Sequence, residues 1–375
     1  MEGARLVLRP KDIPDFLLSS SPEHTVLLLG PPGIGKSVQV YGAARREAEL
    51  LGREFVDFHR GLPGDWEERA GELYVYVDLR LTECVPEDLL GYPRPVDAKY
   101  YVYTPPLWAK VLSRPEIAGL LFLDEITNVQ RDDVVAAAYK ITLDRKVGFV
   151  KLSDRVRVIA AGNSPEHSAI ARELPAPAIS RCKVVRVATP TVEEWAEYME
   201  ENYGGDWDRR VLAFLLRFRE LFCPPVREAS TLRQYPCPRN WTRLARELAK
   251  MPDEFLEVEA IADVGEEAGA AFATFARNPV PSLEELLEDP KMIHELSLDS
   301  KYLVAIMVGQ AVAGMDNPER LRELVEEISK YPEFAAALAL SIPKKMRYAA
   351  ISVSYTHLRA HETEADVVCR LLLEK

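Results

Sequence analysis

The chain is poor in cysteine, short of positive charge and without a long apolar run. Its 375 residues include five cysteines (Cys84, Cys182, Cys223, Cys237, Cys369), and no two of them form a C-x-x-C pair. Zinc fingers and dithiol redox centres need closely spaced sulfur ligands, so neither is expected. Cys223 and Cys237 share a proline-rich stretch and read as two thiols rather than a bridge. Lysine and arginine number 47 against 59 acidic residues, a net charge of −12. That balance disfavours bare nucleic acid as the main partner, although a locally basic pore is compatible with it. No apolar stretch approaches the roughly 20 residues of a membrane span, so no membrane contact is expected. The opening Met1-Glu-Gly-Ala-Arg lacks a basic segment followed by an apolar one. No secretory signal is therefore visible, and a cytoplasmic location is expected.

What is present is a chain with 47% hydrophobic residues, enough to build two or three compact units. Its most informative stretch runs from Thr25 to Ser37. Val26 to Leu29 is an unbroken apolar run, the pattern of a strand buried on both faces. Gly30, Gly35, Lys36 and Ser37 then supply the spacing G-x-x-x-x-G-K-S. A helix follows, with Val38, Tyr41, Ala44, Ala48 and Leu51 spaced as its apolar face. Backbone N–H groups at a helix start bind phosphate oxygens, and the helix dipole favours the anion. Pro31 and Pro32 have no N–H, so the donors must come mainly from Gly33, Ile34, Gly35, Lys36 and Ser37, with Val38 completing the segment. Lys36 is placed to reach the β- and γ-phosphates of a triphosphate, and the Ser37 hydroxyl to ligate Mg²⁺.

Leu73 to Leu79 reads as a strand, and Glu54 to Phe58 as an edge strand. From Thr82 to Pro115 the chain reads as a long irregular region carrying Tyr92, Tyr100, Tyr101, Tyr103 and Trp108. Such a stretch either covers the core or contacts a partner. Gly119 to Asp124 is a second buried strand, ending in the acidic pair Asp124-Glu125. Carboxylates at a strand end need a cation or donors, and in open α/β sheets that end faces the ligand crevice. Asp124 is thus assigned to the metal beside Ser37, and Glu125 to the base that polarises attacking water. Arg131 to Leu143 is helical, with Val134, Ala137, Ala138 and Ile141 on one face. Lys146 to Val158 alternates around Ser153-Asp154-Arg155, which suggests a hairpin whose second strand continues to Gly162. Asn163 then stands at a third strand end, where an amide can sense the γ-phosphate.

Beyond the strand at Val184 to Val187 the chain reads as helical, opening with a capping box at Thr191 and Glu194. Segments are expected near 192–203, 208–222, 239–251, 255–277, 300–313 and 318–340.

The ordered motifs Gly30-x-x-x-x-Gly-Lys-Ser, Leu121-Phe-Leu-Asp-Glu, Ala161-Gly-Asn and Ser180-Arg181 resemble those of AAA+ ATPases. The phrases Asp78-Leu-Arg-Leu, Asp88-Leu-Leu-Gly-Tyr-Pro and Val158-Ile-Ala-Ala-Gly-Asn are similar to the MoxR-like, dynein-related branch. The resemblance covers roughly residues 20–250. It implies an α/β P-loop αβα core around a five-stranded parallel sheet (residues 1–190), a helical lid (191–252) and further helices (253–352). It implies ATP and Mg²⁺ as cofactors and a homo-oligomeric ring, usually a hexamer. Asn163 becomes the sensor-1 residue and Arg181 the arginine finger, with Arg172 as its near neighbour and alternative. Arg239, in Pro-Arg-Asn-Trp, becomes sensor 2, and the 146–158 hairpin the pre-sensor-1 insertion. The implied biology is ATP-driven, chaperone-like remodelling of protein clients, often with a partner carrying a von Willebrand factor A domain. Two readings stand beside it: a motor or restriction-type subunit on nucleic acid, and a nucleotide-gated scaffold without turnover. The segment 353–375 instead resembles a translated sequencing adapter, so His357 and His361 are not read as metal ligands.

Overall fold

The computed structural model describes residues 7–97, 99–164, 171–172, 180–225, 234–314 and 318–342. The 353–375 segment lies outside them. Two compact units divide near Thr189–Pro190.

The first unit is built on a parallel sheet of β1 (Val26–Leu29), β2 (Glu54–Asp57), β3 (Leu73–Arg80), β6 (Ala118–Asp124), β9 (Val156–Gly162) and β10 (Lys183–Arg186). The strands lie in the order β10-β1-β9-β6-β3-β2. The expected five-stranded sheet therefore has six strands. The added one is the edge segment at Glu54, which pairs with β3 from Glu54↔Leu73 to Asp57↔Tyr76. Central strands β6 and β9 are buried almost throughout, as strands covered on both faces must be.

Helices cover both faces. One layer is α1 (Ile13–Ser19) and α2 (Lys36–Leu50), packed on Leu28, Tyr74, Tyr76, Leu120 and Phe122. The other includes α3 (Pro86–Leu90), α4 (Leu107–Leu112) and α5 (Asp132–Asp144), packed on Val75, Val77, Leu121 and Leu123. On α5 the buried residues Val134, Ala137, Ala138 and Ile141 are those the spacing predicts. On α2 they are not. Val40, Ala43, Ala44 and Ala48 are buried, whereas Val38 and Leu51 are each 53% exposed. Ser37 has to face β6, and the residues three and seven positions on, Val40 and Ala44, follow it to that side.

The Thr82–Pro115 region is ordered, not irregular. It holds α3, α4 and an antiparallel hairpin of β4 (Tyr92–Pro95) and β5 (Tyr101–Thr104). Trp108 is buried in the core, while Tyr92, Tyr100, Tyr101 and Tyr103 are exposed. The hairpin expected over 146–158 is shorter, with β7 (Lys146–Val147) pairing with β8 (Val150–Lys151). The run from Val156 onward joins the central sheet instead, between β1 and β6. Its apolar faces are both covered there, which a protruding hairpin cannot offer.

The second unit is helical: α6 (Val192–Tyr203), α7 (Arg210–Arg217), α8 (Pro238–Leu248), α9 (Leu256–Val264), α10 (Glu266–Ala276), α11 (Leu283–Glu288), α12 (Leu298–Gly314), α13 (Arg322–Ser329) and α14 (Pro332–Ser341). The Thr191–Glu194 capping box is formed. The single helix expected over 255–277 breaks at Gly265, and that over 318–340 breaks near Tyr331. One core, from Val192 to Ile342, runs through the helices before and after residue 252 alike, centred on Trp241, Phe214 and Phe272. Cys237 is a buried free thiol, so no Cys223–Cys237 bridge forms. Among the described residues no helix is long and apolar enough to cross a membrane.

Candidate nucleotide-binding site

β1, β9 and β6 are adjacent in the sheet and parallel, so their carboxyl ends open side by side. The three motifs leave from these ends: Gly30 after β1, Asn163 after β9 and the Asp124-Glu125 pair from β6. Gly30 has to be glycine, because a Cβ there would stand 2.4 Å from the carbonyl oxygen of Val187. The loop then turns through positive φ at Gly33 (73°) and Gly35 (99°) into α2. Ile34 is buried in the core, so its backbone and not its side chain is offered to a ligand. Val38, exposed on the first turn, stands clear of the core.

Lys36 is only 8% exposed and lies back across its own loop. Its Nζ donates to the carbonyl oxygens of Gly30 (2.9 Å) and Pro31 (2.8 Å) and reaches Asn163 Oδ1 at 3.4 Å. Ser37 Oγ donates to Asp124 Oδ2 at 2.7 Å. Four residues from three strand ends thus meet in one place. The hard oxygens of Ser37 and Asp124, few in number, suit Mg²⁺, which keeps much of its water shell.

Glu125 is held in an unusual backbone state, with φ of 61°. A non-glycine residue there costs about 1–3 kcal/mol and such strain clusters at functional sites. The bend turns Glu125 away from the strand direction, and its Oε2 accepts a hydrogen bond from Thr82 Oγ1 at 2.9 Å. Asn163 is set by Thr127, whose Oγ1 accepts the Asn163 backbone N–H at 2.8 Å. Thr127 in turn requires Gly162, where a Cβ would meet its Cγ2 at 2.6 Å. Sequence reasoning missed both threonines. Thr82 had one legible cue, its place directly after Asp78-Leu-Arg-Leu.

Asp78, near the end of β3, was also missed as a site residue. Burial first, then the charge of Asp124, push its carboxyl up to about 6, against the opposing pull of Arg80 and His59. Its Oδ1 is buried and has no hydrogen-bond partner among the described residues.

The arginines differ in commitment. Arg172 pairs with Asp132 at 2.5 Å and donates to the Gln130 carbonyl at 2.8 Å. Arg181 is largely exposed and stands 3.9 Å from Asp144. On α8, Arg243 pairs with Asp263 and Arg246 stacks on Tyr203, while Arg239 in the first turn is exposed.

No family model and no curated protein matches the chain. Solved structures do show likeness. The FIGL-1 AAA domain in complex with ADP is 20% identical with a TM-score of 0.34, over 80% of this chain and 89% of that one. The Aeropyrum pernix ORC2 protein, in ADPNP–ADP complexes, is 12% identical with a TM-score of 0.37, over 96% and 98%. C. elegans PCH-2 is 12% identical with a TM-score of 0.30; the match takes in 71% of this chain and 63% of PCH-2, less than two thirds of its length. At these scores the likenesses assign no function.

Proposed function

We propose that the chain binds ATP with Mg²⁺ and hydrolyses it, as the motor unit of a ring-forming ATPase of the MoxR-like AAA+ kind. The observation that carries this reading is the meeting of Lys36, Ser37, Asp124 and Asn163 at three adjoining strand ends. Backbone N–H groups from Gly33 to Ser37 cradle the phosphates, and Lys36 exchanges its carbonyl partners for phosphate oxygens. Ser37 and Asp124 would hold the cation, which would supply neutralisation of the phosphate charge. Glu125 and Asn163 orient a water in line with the γ-phosphorus. The water oxygen forms a bond to phosphorus as the bridging P–O bond breaks. ADP departs with the bond electrons, and the proton passes to Glu125.

Arg181, exposed and loosely held, is the arginine offered to a neighbouring subunit's γ-phosphate in a hexameric ring; Arg172 is already engaged. Arg239 is the arginine of α8 left available as sensor 2. Work on protein clients is supported by the aromatic hairpins: Tyr101 and Tyr103 of β5 are exposed, and Phe149 at the β7–β8 turn is 81% exposed. Phe149 packs beside Tyr103, with ring centroids 6.0 Å apart. Coupling to a von Willebrand factor A domain protein rests on the family resemblance alone.

Steady-state phosphate release tests the reading. Glu125→Gln is expected to lower turnover by roughly 10²–10⁴-fold with nucleotide affinity retained. A wild-type chain that binds ATP but releases no phosphate would leave a nucleotide-gated scaffold as the answer.

A further inference from the structure

Among the described residues, three buried side-chain atoms lack a hydrogen-bond partner: Asp78 Oδ1, Arg209 Nε and Asp263 Oδ2. Arg209 and Asp263 satisfy other atoms through ion pairs, with Glu200 and Arg243. Among the described residues the Asp78 carboxylate forms no such ion pair, Arg80 and His59 acting on it only at a distance. The imidazole of His59 bonds its backbone carbonyl rather than its carboxylate, and Arg80 leans to Glu83.

The place of Asp78 in the sheet suggests why a carboxylate is kept there. β3 and β6 are parallel, with Asp78 opposite Phe122 and Arg80 opposite Asp124. Side chains alternate along a strand, and Tyr74, Tyr76, Leu120 and Phe122 all face the α2 layer. Asp78 and Asp124 continue that alternation on the same side, the side from which Ser37 approaches. Strand spacing and rise put their Cα atoms about 8 Å apart. That is too far for both to ligate one ion, and near enough for a water on the ion to bridge them.

We propose that Asp78 is a positioning residue for the metal, its carboxylate accepting hydrogen bonds from water of the hydrated divalent cation held at Ser37 and Asp124. Mg²⁺ releases its waters reluctantly, and acceptors that engage those waters orient the whole hydrate. The inference rests on the nucleotide-binding reading above and adds a residue to it.

The test is Mn²⁺ binding to the full chain saturated with ADP, followed by electron paramagnetic resonance, beside metal-free ADP affinity from a fluorescent analogue. Asp78→Asn is expected to leave metal-free ADP affinity unchanged and to weaken Mn²⁺ binding by roughly 10–100-fold, the usual cost of losing an outer-sphere partner. Asp78→Ser serves as the second variant. Neither removes a packed apolar group, and each removes the carboxylate whose Oδ1 is buried without a partner among the described residues. Wild-type Mn²⁺ affinity in both variants would overturn the role of Asp78 while leaving the nucleotide site standing. Failure of the unmodified chain to bind ADP at all would overturn both.

Discussion

Thr82 Oγ1 donates a 2.9 Å hydrogen bond to Glu125 Oε2, tying the segment after β3 to the residue assigned as general base. The bond holds the Glu125 carboxylate in one orientation. Thr82→Val, which keeps the shape, is expected to lower phosphate release by up to about tenfold, equivalent to about 1.4 kcal/mol. KM for ATP should stay unchanged. Unchanged turnover in this variant would show that Thr82 does not aim Glu125.

Gly162 and Thr127 are matched by contact. The Cβ of an alanine at 162 would lie 2.6 Å from Thr127 Cγ2 and 2.7 Å from its Oγ1. Gly162→Ala is therefore expected to cost about 1–3 kcal/mol in urea unfolding, the usual range for overpacking. Phosphate release should fall as well, because Thr127 holds the Asn163 backbone. Adding Thr127→Ser removes the nearer methyl and should recover part of the lost stability.

Asp78 predicts a pH dependence of folding in the absence of nucleotide. Its folded-state value, about 6, lies above the usual 3.8, because burial and the Asp124 charge disfavour ionisation. The fold therefore holds this proton more tightly than the unfolded chain. Its contribution is favourable below about pH 4 and is lost as pH rises through about 6. Asp78→Asn should accordingly raise Tm relative to wild type at pH 7.5, with the gain fading by pH 4. Equal gains at both pH values would remove the electrostatic explanation.

A buried ion pair joins α2 to β9. Arg157 Nε lies 2.8 Å from Glu47 Oε1, with the two side chains 9% and 16% exposed, and Tyr74 donates to Glu47 at 2.7 Å. Arg157→Met strands Glu47 in the interior. A loss of about 3–5 kcal/mol is expected in chemical denaturation, the range for breaking one half of such a pair. Replacing Glu47 and Arg157 together by apolar residues should cost markedly less.

Much of this molecule can be read from local pattern. The unbroken apolar runs at Val26 and Gly119 announce buried parallel strands, because only strands covered on both faces have no need of polar alternation. The G-x-x-x-x-G-K-S spacing and the acidic pair at a strand end carry the chemistry proposed for them in residue type and order. The Thr191–Glu194 box marks its helix start because capping is a contact between neighbours in sequence.

Tertiary structure decided what depends on residues distant in the chain. The rotation of α2 follows from Ser37 facing Asp124, so Val38 and Leu51 are exposed despite their helical spacing. Val156 to Gly162 became a central strand rather than a hairpin arm, since only the gap between β1 and β6 buries both its faces. Thr82 and Thr127 gained their places beside Glu125 and Asn163 through contacts across 43 and 36 positions of chain, and Asp78 its place near Asp124 through the pairing of β3 with β6. Residue types determine which chemistry is possible; three-dimensional packing determines which of those groups meet, because hydrogen bonds and charges act over a few ångströms of space whatever the separation along the chain.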